Sequence, residues 1–220
     1  MNLTLADRRF EAFCRDRGLA CRRIAEGPEP TPDYEVTGAV RPIAVEVKQI
    51  DPNASDHDML ARLRAGRTAA RAVNTVRARN PIKEACGQLS AYTQGEFPGI
   101  VLLVDNSGFG LDYLEPTSLA DCLFGLERLH FTVPHDPAVD SEVLGMSHGS
   151  HRIFTPHHNT STSAVATLTV ELSGERMAIF HNPFAKSPLK PDDLFGDAFV
   201  NYDWKPEKPD HIEVWQLRVA

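Results

Sequence analysis

Alternation over residues 43–50 constrains this chain more than any other feature. Ile43, Val45 and Val47 are apolar and β-branched, while Ala44, Glu46 and Lys48 take the opposite parity. Period-two alternation of this kind predicts a half-buried strand. Glu46 and Lys48 then project from one face of it. Just upstream, residues 34–37 form a second short candidate strand, rich in residues that favour pleated surfaces. Gly38 and Pro42 punctuate the connection, as turn residues do. With the hairpin centred near Ala39 and Val40, Asp33 lies across from Glu46. Directly opposed residues of an antiparallel pair share a face and sit about 5 Å apart. A one-residue slip of register would send Asp33 to the other face.

Two carboxylates that close repel unless a divalent cation bridges them or one takes a proton. Hard oxygen ligands suit Mg²⁺ or Mn²⁺. An ammonium beside them, Lys48, is placed to orient and help deprotonate an attacking water and to stabilise charge on phosphorus. The residues therefore point to metal-dependent hydrolysis of a phosphodiester. Plainer roles compete. Asp33 would serve as a turn residue after Pro32, and Lys48 as an exposed strand residue. Glu46 is harder to place that way, because a carboxylate in an apolar strand costs burial energy unless compensated.

Pro32-Asp33 followed by Glu46-Val47-Lys48 resembles the PD-(D/E)xK nuclease superfamily. That resemblance spans residues 3–106, read as helix, strand, strand, strand, helix, strand, and implies a restriction-endonuclease-like fold. It implies Asp33 and Glu46 as metal ligands, with the Val47 backbone carbonyl as a further one. It adds Glu11, on the preceding helix, where many members place another carboxylate. It also adds Gln88, which with Tyr92 forms a Gln-x-x-x-Tyr arrangement similar to that of RecB-like members. Each of these three has a plainer role: Glu11 as an exposed helix residue, Gln88 at a polar boundary, Tyr92 in the core.

Elsewhere the pattern is helical or irregular. Residues 3–17 carry Leu3, Phe10, Phe13 and Cys14 near helical spacing, with Thr4 or Asp7 as cap and Gly18 as stop. Residues 19–24 read as a short strand. Ser55 and Asp58 form a candidate capping box for a helix over 56–65 that ends at Gly66. Asn80 and Pro81 predict a helix start, with Ile82, Ala85, Cys86, Leu89 and Tyr92 recurring behind it. Residues 100–104 are a continuous apolar run and predict a buried central strand. In the C-terminal half, 111–114, 165–172, 177–180 and 212–219 read as strands, 117–125 as a helix, and 131–163 mainly as loop.

The net charge of -7 speaks against nucleic acid, but its distribution does not. Between residues 60 and 83 lie seven basic residues (Arg62, Arg64, Arg67, Arg71, Arg77, Arg79 and Lys83) and no acidic one. Such a segment can track a phosphate backbone; a solvated helix face is the competing explanation. Cys14, Cys21, Cys86 and Cys122 lack Cys-x-x-Cys spacing and read as reduced, cytoplasmic thiols. No apolar run approaches the roughly 20 residues that span a bilayer, and no signal peptide is expected. His148, His151, His157 and His158 invite a zinc site, but about four well-placed ligands are needed, and hydrogen-bonded or surface histidines fit better. His181 is isolated.

The expectation is one α/β domain over 1–220. Its mixed central sheet is flanked by helices, with a nuclease-like core over 1–106 and a β-rich extension over 107–220. The expected activity is Mg²⁺- or Mn²⁺-dependent cleavage of nucleic acid, DNA before RNA. Many duplex cutters need two sites, so a homodimer is compatible with a duplex substrate, and the oligomeric state stays open. A non-catalytic nucleic-acid- or protein-binding module on the same fold is the alternative.

Overall fold

The computed structural model describes residues 3–37, 41–69, 75–107, 114–136, 138–171, 174–190, 192–194, 196–204 and 215–217. The fold is α/β, with helices α1 (Leu5–Asp16), α2 (Ala54–Arg64), α3 (Val76–Thr93) and α4 (Pro116–Phe124). The central strands are β1 (Ala20–Arg23), β2 (Tyr34–Thr37), β3 (Pro42–Ile50), β4 (Gly99–Asp105), β7 (Ala164–Glu171), β8 (Gly174–His181), β9 (Phe199–Trp204) and β10 (Trp215–Leu217). They form one mixed sheet in the order β1-β2-β3-β4-β7-β8-β9-β10. The β3–β4, β4–β7 and β8–β9 pairs are parallel and the rest antiparallel. A separate antiparallel ribbon joins β5 (Glu127–Phe131) to β6 (Val143–His148).

The sheet separates two cores. Phe10 and Phe13 of α1 pack with Val36, Ile43, Val45, Ile100 and Leu102 on one face. Ile82 and Leu89 of α3 and Phe124 of α4 pack with Ala44, Val101 and Leu103 on the other. The alternation of β3 is thus divided between two layers, and β4, central and covered on both faces, is apolar at every position from Ile100 to Val104.

Thr4 and Asp7 together cap α1 through reciprocal hydrogen bonds. Helix α2 is capped by Asn53 with Asp56, not by Ser55 with Asp58, so it begins two residues early. Helix α3 starts at Val76, and Pro81 lies inside it rather than at its first position. The apolar stripe explains the difference: Ala78, one turn before Pro81, is already buried with Ile82, Ala85 and Leu89. Tertiary packing there outweighs the one helical hydrogen bond that proline removes. Arg71 and most of 111–114 lie outside the described residues.

The segment 131–163, expected mainly as loop, contributes the β5–β6 ribbon. Its register sets Leu129, Phe131 and Val143 on one face and Arg128, His130 and Ser147 on the other. All three apolar members are exposed. Strand β9 is also additional; its residues are all half-buried, so it shows no alternation. Among the described residues no helix is long and apolar enough to cross a membrane.

Candidate active site

The β2–β3 register pairs Tyr34 with Val45 as its last rung. The next pair in that register is Asp33 with Glu46, and the side chains complete it. The Asp33 N–H donates to Glu46 Oε2 at 3.2 Å, and the Val47 N–H donates to Asp33 Oδ2 at 2.9 Å. The Asp33 carboxylate thus takes the place of the strand carbonyl that β2 no longer supplies. In a strand the N–H and C=O of one residue point to the same side, so the Val47 carbonyl also opens toward Asp33.

Two positions along, Lys48 Nζ donates to Glu46 Oε1 at 2.9 Å and to Gln88 Oε1 at 3.1 Å. Glu84 Oε1 lies 3.5 Å from the same ammonium. Glu84 and Gln88 are one helical turn apart on α3, so both reach the sheet from one helix face. The Gln88 amide also donates to the Thr31 carbonyl at 3.4 Å, tying helix, strand and the loop before Asp33 together. A cleft of about 290 Å³ opens beside Asp33 and Gln88, bounded by Arg23 and the loop 24–32.

Electrostatics set the protonation. Glu46 is 2 % exposed. Burial first, and then the Asp33 charge, push its carboxyl up to about 7, against the opposing pull of Lys48. Burial also raises Asp33; the Val47 N–H opposes this, and the charge of Asp7 adds to it. Burial works against the Lys48 ammonium, but its bond to Glu46 more than compensates and holds it protonated. A buried carboxylate pair with raised affinity for protons is also a pair with affinity for a hard divalent cation. Asp33 Oδ1 carries no hydrogen bond among the described residues. The donor set of Asp33, Glu46 and the Val47 carbonyl therefore fits Mg²⁺ or Mn²⁺. Among the described residues no three His, Cys, Asp or Glu side chains converge to hold a metal through side chains alone.

Glu11 does not join this cluster. It accepts from the Tyr34 hydroxyl at 3.0 Å, and Asp7, one turn earlier, accepts from the same hydroxyl at 3.1 Å. Tyr34 has the opposite parity to Asp33, which places Glu11 on the α1 side of the sheet. The α1 carboxylate whose charge reaches Asp33 is Asp7. Tyr92 donates to Glu35 at 3.5 Å and meets the edge of Phe97, away from Lys48.

The basic segment divides. Arg64, Arg67 and Lys83 are exposed, and Arg62 pairs with Asp58 at 3.0 Å on the surface of α2. Arg77 instead pairs at 2.6 Å with the buried Asp56 and donates to the Asp51 carbonyl, so it braces α2 against α3. Arg79 turns toward α4 and donates to the Asp121 carbonyl at 3.4 Å. Of the histidines, His181 is buried on Asn201 at 2.8 Å, and His157 and His158 lie in an exposed turn.

Sequence reasoning missed Glu84 and the proximity of Asp7. Glu84 was reachable from Gln88 by helical spacing; Asp7 was visible only as a cap. Comparison with protein-family models, with curated proteins and with solved structures finds no match.

Proposed function

We propose that this chain is a metal-dependent nuclease of the PD-(D/E)xK type that hydrolyses phosphodiester bonds, in DNA before RNA. The observation that carries the reading is the convergence of Asp33, Glu46 and Lys48 at the frayed end of the β2–β3 pair, with Lys48 Nζ 2.9 Å from Glu46. Asp33, Glu46 and the Val47 carbonyl would hold Mg²⁺ or Mn²⁺. When bound, such an ion lowers the pKa of a coordinated water and neutralises charge on the phosphate. Lys48 would hold the attacking water in line and stabilise the developing negative charge on the phosphoryl oxygens. Gln88 fixes the Lys48 ammonium in place from α3. Among the described residues, Arg64, Arg67 and Lys83, all exposed, are the part of the basic segment open to a phosphate backbone. A cytoplasmic location goes with this reading, since all four cysteines are unbridged.

The alternative is a non-catalytic binding module. One observation favours it: Lys48 faces three oxygens, from Glu46, Gln88 and Glu84, so the cluster is held together by its own residues.

Cleavage of circular single-stranded DNA and of supercoiled plasmid, with Mg²⁺ or Mn²⁺, decides between them. The nuclease reading expects metal-dependent nicking by the wild type and none by Lys48→Ala of equal folded content. Equal nicking by both would remove Lys48 from the mechanism. No nicking by the wild type on either substrate would favour the binding module.

A further inference from the structure

On the side of α3 away from Lys48, a second and larger cleft of about 540 Å³ opens between the helix, α4 and the root of the β5–β6 ribbon. Its size is within the range of sites that hold small ligands. Thr75 and Arg79 line it from α3, Ser118 and Asp121 from α4, and Arg128, Ser150 and His151 from the ribbon.

Four of its polar side chains are uncommitted. Arg79 donates to the Asp121 carbonyl at 3.4 Å, and its buried Nε has no oxygen or nitrogen partner, only the Cys122 thiol beside the guanidinium. Buried donors are nearly always well paired, so a guanidinium nitrogen left to a weakly accepting thiol beside a cleft is open to a better acceptor. The side chains of Arg128, His151, Ser118 and Ser150 have no hydrogen bond among the described residues. Meanwhile the backbone around them is firmly set. Gly149 donates to the Leu126 carbonyl at 2.8 Å and closes the ribbon's root. A Cβ at Gly149 would stand 3.5 Å from the Arg128 guanidinium, which lies directly over that backbone. His151 sits at φ +69, a left-handed conformation unusual outside glycine. Such strain tends to persist where a ligand clamp requires it.

We propose that this cleft binds a phosphate group, as a second anion site separate from the carboxylate cluster. Among the described residues the lining carries two guanidinium groups and one carboxylate, Asp121, so their net charge is positive. The guanidinium fork matches the paired oxygens of a phosphate, and the Ser118 and Ser150 hydroxyls supply donors for the rest. Two sources present that chemistry: the backbone of a nucleic acid, and a free phosphate or nucleotide. The proposal shares phosphate chemistry with the nuclease reading but does not depend on cleavage.

The test is binding in EDTA by the full chain. Probes are a short fluorescein-labelled single-stranded oligonucleotide, followed by anisotropy, and inorganic phosphate, followed by amide shifts of Gly149 and His151. Arg128 is exposed, so Arg128→Gln should fold normally even if Arg79→Gln does not. A nucleic-acid site expects Arg128→Gln to weaken oligonucleotide binding about tenfold and to lower its salt slope by about one. Loss of the phosphate-induced shifts with unchanged oligonucleotide binding would assign the cleft to a small phosphate ligand. Wild-type behaviour of Arg128→Gln with both probes, or no response of the wild type to either, would overturn the proposal. The wild type separates the two readings: binding of either probe in EDTA with no cleavage in Mg²⁺ or Mn²⁺ would sink the nuclease and keep the cleft, and cleavage with no binding of either probe in EDTA would do the reverse.

Discussion

Burial and the Asp33 charge push the Glu46 carboxyl up to about 7, so without a cation it keeps its proton through the acidic range. A carboxyl raised in the folded state stabilises the fold at low pH. That contribution is full below the ordinary value of 4.5 and is lost as pH rises to about 7. In EDTA, denaturant unfolding should therefore show stability falling across that window, and Glu46→Gln should flatten the fall. A cation must displace the same proton. Mn²⁺ affinity, measured by titration calorimetry, should rise up to about tenfold per pH unit below 7 and level off above it. A pH-independent affinity would remove Glu46 from the ligand set. Lys48→Ala should lower cleavage by about 10²–10⁴-fold while Mn²⁺ still binds. Glu46 and Lys48 were legible because strand parity alone fixes a shared face. Glu84 has no signature of its own and was reachable only through Gln88, one turn on; the fold brings it to 3.5 Å from Lys48.

At the scale of elements, α3 does more than supply Gln88. Arg77 in its first turn pairs with Asp56, which is 2 % exposed and caps α2 as well. Removing one partner leaves a buried carboxylate short of its cation. Arg77→Ala should cost about 2–3 kcal/mol in denaturant unfolding, discounted from the fully buried case because Arg77 is itself part-exposed. It should leave the salt dependence of oligonucleotide binding unchanged; a slope lower by one would return Arg77 to the backbone-binding set. The sequence pattern could not separate Arg77 from Arg64 or Arg67, because charge runs do not reveal which members find a buried partner. Helix boundaries failed for a related reason. Asn80-Pro81 is a strong local start signal, but the Ala78–Ile82–Leu89 stripe extends the helix through it.

Across the whole molecule, the α/β class and the mixed sheet could be read from β3, β4 and the apolar periodicity of α1 and α3. The β5–β6 ribbon could not. Its short alternation at Leu129 and Phe131 is embedded among polar and turn-forming residues, and its apolar face is exposed, so burial leaves no trace in the pattern. A cation bridging β2 and β3 links two strands of one cooperative unit. Mn²⁺ at a hundredfold excess over its dissociation constant should stabilise the wild type by about 2.7 kcal/mol. Thermal unfolding checks this: the midpoint should rise with Mn²⁺ in the wild type and stay put in Asp33→Asn and Glu46→Gln. An equal rise in all three would place the ion elsewhere.

The hydrogen bond from Val47 to Asp33 turns one amide proton into a sensor. Glu46 and Lys48 on either side belong to the parity that bonds toward β4, but at Val47 protection rests on a side chain that a proton or a cation can claim. The nitrogen-bound proton of Val47 should therefore shift and exchange with solvent in step with the occupancy of Asp33. A single resonance would then report, without any substrate, whether the pocket is empty, protonated or filled.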